Sequence, residues 1–136
     1  MFRLAIEKLE HGWTDLAITL GDQNLLCIFE YTPNDALYEL LLSAYRAARN
    51  LDSAVIFHDG PETMYYALDC ISDGLCKITV GLHSMELPVK HYVRAVLRMF
   101  DTYLHTHSKD EYVAAWRHSF PLELLVKVRK AYKALD

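Results

Sequence analysis

Apolar and polar residues alternate with a period of two through most of residues 1–87, and recur with a helical period after that. Phe2, Leu4 and Ile6 alternate with Arg3, Ala5 and Glu7, and Leu16, Ile18 and Leu20 with Asp15, Ala17 and Thr19. This is the pattern of half-buried strands, and Glu10-His11-Gly12 between them predicts a hairpin turn. Gly21-Asp22-Gln23-Asn24 predicts a second turn, followed by Leu25 to Tyr31, an almost continuous apolar run suited to a central strand. Thr32-Pro33-Asn34-Asp35 reads as a helix entry, with Thr32 as cap, Pro33 at the first helical position and Asp35 accepting from free amides. Leu37, Leu40, Leu41, Ala44, Tyr45 and Ala48 then form one helical stripe, placing a helix over residues 34–49.

The strand pattern returns with Ser53 to His58, and Asp59-Gly60-Pro61 is a turn. Met64, Tyr66, Leu68 and Cys70 alternate with Tyr65, Ala67 and Asp69. After the turn at Ser72-Asp73-Gly74, Cys76, Ile78, Val80 and Leu82 alternate with Lys77, Thr79 and Gly81. From Pro88 the period is helical, with Val89, Val93, Val96, Phe100 and Leu104 on one face. Ser108-Lys109-Asp110-Glu111 is a capping box, so the chain breaks near His107 and restarts as a short helix through Trp116. Pro121 opens a last helix with the stripe Leu124, Leu125, Val128, Tyr132 and Leu135. The expected fold is α+β: a mainly antiparallel sheet of about six strands, one helix inserted after the third, and three C-terminal helices, with helices covering one side of the sheet. Residues 1–136 read as a single domain without linker or low-complexity segment. A three-strands-then-helix order occurs twice, but without residue-level self-similarity.

The chain has 136 residues, 52% of them apolar, enough to fill a core. Its longest stretch without Asp, Glu, Lys or Arg runs from Ile78 to Met85, far below the ~20 apolar residues of a spanning helix. The opening Met1 to Glu7 has an acid where a signal peptide places its apolar run, so a cytoplasmic location and no membrane association are expected. The net charge of −4 divides unevenly. Residues 1–87 hold five basic and thirteen acidic side chains, −8, and residues 88–136 hold nine and five, +4. An acidic strand-rich part thus precedes a basic helical part, and the two can match internally or face separate partners.

Candidate chemistry is sparse. His105 and His107, with Asp101 one turn before His105, are metal-ligating residue types. Two histidines two apart diverge on a helix, however, and no further ligand follows at a recognised spacing. Cys70 and Cys76 flank a turn but lack the Cys-x-x-Cys spacing, and with Cys27 they make an odd count of thiols in core phase. The five glycines form neither a nucleophile elbow nor a phosphate loop. No cofactor and no metal are expected. Arg94, Arg98, Lys127, Arg129, Lys130 and Lys133 make a basic helical face, yet a sequence pI near 5.9 argues against direct nucleic-acid binding. His58 with Asp59 or Glu62 is the one arrangement from which a small enzyme could draw a general base. Alternatively, Tyr65 and Asp69 share the outward face of the fifth strand, with His58, Asp59 and Glu62 at its entry and Asp73 in the following turn. That surface, acidic and aromatic, suits a basic protein partner.

The order of elements adds a resemblance. Gly12-Trp13-Thr14-Asp15-Leu16 in an opening strand pair, then Ile28-Phe29-Glu30-Tyr31-Thr32-Pro33-Asn34-Asp35-Ala36-Leu37-Tyr38-Glu39-Leu40-Leu41, then a second set of strands, resembles small bacterial immunity proteins. These are the cytosolic partners of polymorphic toxins, including those of contact-dependent growth inhibition. The likeness covers about the first two-thirds of the chain. It implies a non-catalytic protein that binds a cognate toxin domain, often a nuclease, and occludes its active site or substrate surface. The six residues named above would then face the toxin. A small His/carboxylate enzyme and a homo-oligomeric regulatory domain are the alternatives.

Overall fold

The computed structural model describes residues 1–135. Its strands are β1 (Phe2–Glu10), β2 (Trp13–Leu20), β3 (Gln23–Glu30), β4 (Ser53–Asp59), β5 (Glu62–Ser72), β6 (Leu75–Val80) and β7 (His83–Pro88). Helix α1 (Ala36–Ala48) follows β3, and α2 (Val89–Thr106), α3 (Lys109–Trp116) and α4 (Leu122–Ala134) close the chain. The α+β class, the helix after β3 and the three C-terminal helices agree with the sequence pattern.

Two corrections concern the strands. Among the described residues there are seven, in two antiparallel sheets ordered β1-β2-β3 and β4-β5-β6-β7, instead of about six in one. The seventh is His83–Pro88, because β6 ends at Val80 and the chain reverses through Gly81, whose φ is +59. Leu82 continues the apolar alternation by coincidence; it lies in the turn and is fully exposed. The sheets stay separate because side chains, not a backbone ladder, join their facing edges. Asn34 Nδ2 donates to the Ile56 carbonyl at 3.0 Å, and the Gly60 amide donates to Glu30 Oε2 at 3.2 Å. Between those bonds Phe29 and Phe57 stack with ring centroids 4.3 Å apart.

Each sheet turns one face inward. Leu4, Leu16, Ile18, Leu20, Cys27 and Phe29 from the first sheet join one continuous core with Val55, Phe57, Tyr66, Leu68, Cys76, Ile78, Val80 and Leu87 from the second. Helix α1 packs on β4 and β5, α2 packs on β1 and β7, and the two helices pack on each other. The α1 cap is Asp35, not Thr32: its carboxylate accepts from the Tyr38 amide, and Pro33 stands ahead of the helix. The capping box at Ser108 and Glu111 forms as its sequence indicates.

A chain of hydroxyls crosses this core. Ser43 Oγ donates to the Leu40 carbonyl at 2.6 Å and lies 2.6 Å from the Tyr92 hydroxyl, which lies 2.9 Å from that of Tyr66. A hydroxyl has one proton. With the Ser43 proton on Leu40, Tyr92 must donate to Ser43 and Tyr66 to Tyr92. The run Tyr66 to Tyr92 to Ser43 to Leu40 ties β5, α2 and α1 together with a fixed polarity.

Candidate functional site

The six surface residues proposed from the sequence divide between two faces and two ends of the second sheet. In antiparallel register, Val55, Phe57, Tyr66 and Leu68 face the core, so His58, Tyr65 and Asp69 stand on the opposite, outer face. Tyr65 is 63% exposed there. Asp59 and Glu62 pair with each other at the β4–β5 hairpin, on the other side of the sheet from His58. Asp69 sits opposite Lys77, which in turn sits opposite Glu86. Asp73 lies in the β5–β6 turn. As β5 has eleven residues, that turn is about 35 Å from the β4–β5 hairpin at ~3.3 Å per residue. The His58 ring and the Asp59 and Glu62 carboxylates therefore do not converge as an acid–base set.

What the structure does assemble is a groove of about 220 Å³ where β3 crosses the β4–β5 hairpin. Leu26, Cys27 and Ile28 form one wall, and Phe57, Thr63 and Met64 the other. Asp59 and Glu62 line its end, and Glu30 reaches the same hairpin through its bond to Gly60. Leu26, Ile28 and Met64 remain 58%, 42% and 39% exposed, a clustering of apolar area that isolated surface residues do not show. The register explains it. Leu26 and Ile28 stand opposite Ala17 and Asp15 on the outer face of the first sheet, and among the described residues no helix packs on β3 there. Trp13, opposite Glu30, extends the strip at 38% exposure. Lys8, the basic residue next to it across from Asp15, is paired with Glu10 at 3.1 Å. The sequence suggested this strip only faintly, because Leu25 to Tyr31 looks buried on both faces.

A second cluster escaped sequence reasoning altogether. Asp35 Oδ1 accepts from Trp116 Nε1 at 2.8 Å and from the Tyr38 amide at 3.1 Å, and Asp35 Oδ2 lies 3.8 Å from His118 Nδ1. His118 Nε2 is 2.6 Å from the Tyr31 carbonyl, so this nitrogen carries the proton and donates it. A general base needs one ring nitrogen free toward substrate. Here Nε2 is taken up by the Tyr31 carbonyl and Nδ1 faces the Asp35 carboxylate, and the group works as a clamp fastening α3 and the α3–α4 connection to the entry of α1. Gly12 adds to the clamp: its amide donates to the Ala115 carbonyl at 2.7 Å, and Arg117 lies over the Tyr31 ring. The partners are about eighty or more residues apart in sequence, so no local spacing reveals them.

The other candidate groups have settled roles. His107 stacks on Tyr103 with centroids 4.4 Å apart and meets Thr106 Oγ1, His105 is exposed, and Asp101 is bound by Arg129. These three groups do not face a common point. Cys70 and Cys76 are register partners and both are free thiols. Burial pushes the Cys27 thiol up to about 11 and the Cys76 thiol up to about 12, where the reactive thiolate is scarce at neutral pH. No helix among the described residues is long and apolar enough to cross a membrane. Comparison with protein-family models, with curated proteins and with solved structures finds no match to this chain.

Proposed function

We propose that this chain is a non-catalytic binding protein that neutralises a cognate bacterial toxin domain by covering its active site or substrate surface. The observation that carries the reading is the β3–β5 groove. Leu26, Ile28 and Met64 stay exposed along its walls over the buried Cys27 and Phe57, and the carboxylates of Glu30, Asp59 and Glu62 lie near one end. Exposed apolar residues give a partner its buried anchor area, and a rim of one charge sign selects and steers a partner of the opposite sign. A nuclease-type toxin domain, basic where it meets phosphates, has the matching chemistry. The toxin assignment itself rests on the resemblance of the Trp13 and Ile28–Leu41 segments to immunity proteins.

The test pairs this protein with the C-terminal domain of a secreted toxin encoded beside its gene. A one-to-one complex is expected, together with protection of cells expressing the toxin domain. The association rate is expected to fall steeply with added salt. Leu26→Asp with Ile28→Asp changes only exposed side chains; it should leave the fold intact and weaken the complex about 100-fold or more, the loss of two anchor residues. An unprotected cell, or full affinity in the double variant, overturns the proposal.

A further inference from the structure

A separate cleft of about 440 Å³ lies between β1 and α2, far from the groove's walls in residue content and opposite in charge. His91, Arg94, Arg98 and Thr102 succeed one another along one face of α2, and Arg3 closes the cleft from β1. Among the described residues no carboxylate lines it. The nearest acid on α2, Asp101, is bound by Arg129 of α4, and among the described residues none of Arg3, Arg94 and Arg98 has an acidic partner at ion-pair distance. Three permanently charged guanidinium groups around one cavity repel each other unless an anion sits between them. The strand edge adds neutral donors. The Gly21 amide bonds the Met1 carbonyl, so the odd residues of β1 pair with β2. By alternation, the backbone amides of Phe2 and Leu4 then point to the free edge that α2 flanks.

We infer that this cleft binds a small, multiply charged phosphorylated molecule. One carboxylate occupies one guanidinium fork, whereas three forks, a hydroxyl and two strand-edge amides suit a group with several oxygens and more than one negative charge. The volume falls in the range of small-molecule sites, about 300–1,000 Å³. A polyanionic strand is less suited. Lys127, Lys130 and Lys133 of α4 do not line the cleft, and Arg129 is held by Asp101, so no continuous basic track leads out of it.

Calorimetric titration of the purified chain with inorganic tripolyphosphate is the test, with acetate at matched ionic strength and a single-stranded oligonucleotide lacking terminal phosphates as separate arms. Saturable one-to-one binding of tripolyphosphate is expected, with none of acetate. Arg94→Gln and Arg98→Gln should each weaken it about tenfold, the loss of one charge-assisted contact, whereas Lys130→Gln should leave it unchanged. Amide spectra of the unaltered protein give a readout independent of the variants' folding: Phe2, Leu4 and the Arg94–Arg98 turn should shift on titration. Absent saturation, shifts confined to other residues, an equal effect of Lys130→Gln, or tighter binding of the oligonucleotide would each overturn the inference.

Discussion

Tyr92→Phe removes one oxygen from the middle of the Tyr66–Tyr92–Ser43 chain, and the consequences for its two neighbours differ. Ser43 keeps its own donated bond to Leu40 and loses only a donor. Tyr66 loses its acceptor, and at 0% exposure its hydroxyl finds no water. Burial holds the Tyr92 phenol up at about 12 and the Tyr66 phenol well above its ordinary value, so both are neutral donors near pH 7. An unsatisfied buried donor costs ~1–3 kcal/mol, and the expected loss for Tyr92→Phe is about 2 kcal/mol. Tyr66→Phe removes the end of the chain and strands no donor, so it should cost about 1 kcal/mol or less. With 136 residues and ~2.1 cal/mol/K of unfolding entropy per residue, Tyr92→Phe lowers Tm by about 7 °C. Urea unfolding of both single variants and the double variant measures the effect. The double variant should be no less stable than Tyr92→Phe alone, because the stranded Tyr66 donor is gone. Equal losses in the single variants, or simple addition in the double, would refute the assigned direction of the bonds.

Three further outcomes can be checked by the same unfolding assay or by thiol labelling. Gly12→Ala places a Cβ 2.5 Å from the Tyr31 ring at a φ of +78 and should cost about 2–3 kcal/mol, whereas Gly21→Ala, at φ +59 with open space around it, should cost about 1 kcal/mol; equal midpoints for the two would contradict the packing account. Asp35→Ala removes the α1 cap and the acceptor of buried Trp116 Nε1, an expected loss of about 2–4 kcal/mol, and Asp35→Asn should recover part of it by restoring the cap. Cys27 and Cys76, lifted from an ordinary value near 9 to about 11 and about 12 by burial, hold their protons more tightly when folded. The unfolded chain therefore releases protons first above pH 9, and stability present below that pH declines as pH rises toward 12. Urea midpoints should drop between pH 8 and pH 10.5, and in the native protein Cys70, the least buried thiol, should label first; a flat profile would exclude the linkage.

Local signals in the sequence located most elements, and the failures share a cause. The capping box at Ser108 and the stripe of Leu37, Leu40, Leu41 and Ala44 are contained within a turn or two of chain, and both formed as expected. The division into two sheets depends on Asn34 meeting Ile56 and on Phe29 stacking with Phe57, contacts across twenty-two and twenty-eight residues that periodicity does not encode. Leu82 misled because alternation has no signal for where a ladder stops; the positive φ of Gly81 stops it. The site suffered more than the fold did. Neighbours in sequence such as His58 and Asp59 point to opposite faces of a strand, while the residues that do share a surface, Ile28 and Met64, come from different sheets.

The unequal charge of the two parts, −8 and +4, bears on partners only if the parts do not neutralise each other. Among the described residues the Lys or Arg ion pairs are Lys8–Glu10, within the acidic part, and Arg129–Asp101, within the basic part; only the approach of His118 to Asp35 crosses between them. Helices α1 and α2 meet the sheets, and α4 meets α1 and α2, mainly through apolar contacts of the shared core. The charges consequently stay where a partner can reach them, negative at the hairpin groove and positive at the β1–α2 cleft. Exposed charges separated by more than about 8 Å are screened at physiological ionic strength, so the two surfaces act independently. Rising salt should therefore weaken binding of the proposed protein partner and of the proposed phosphorylated ligand separately, and saturating either surface should leave the affinity of the other unchanged.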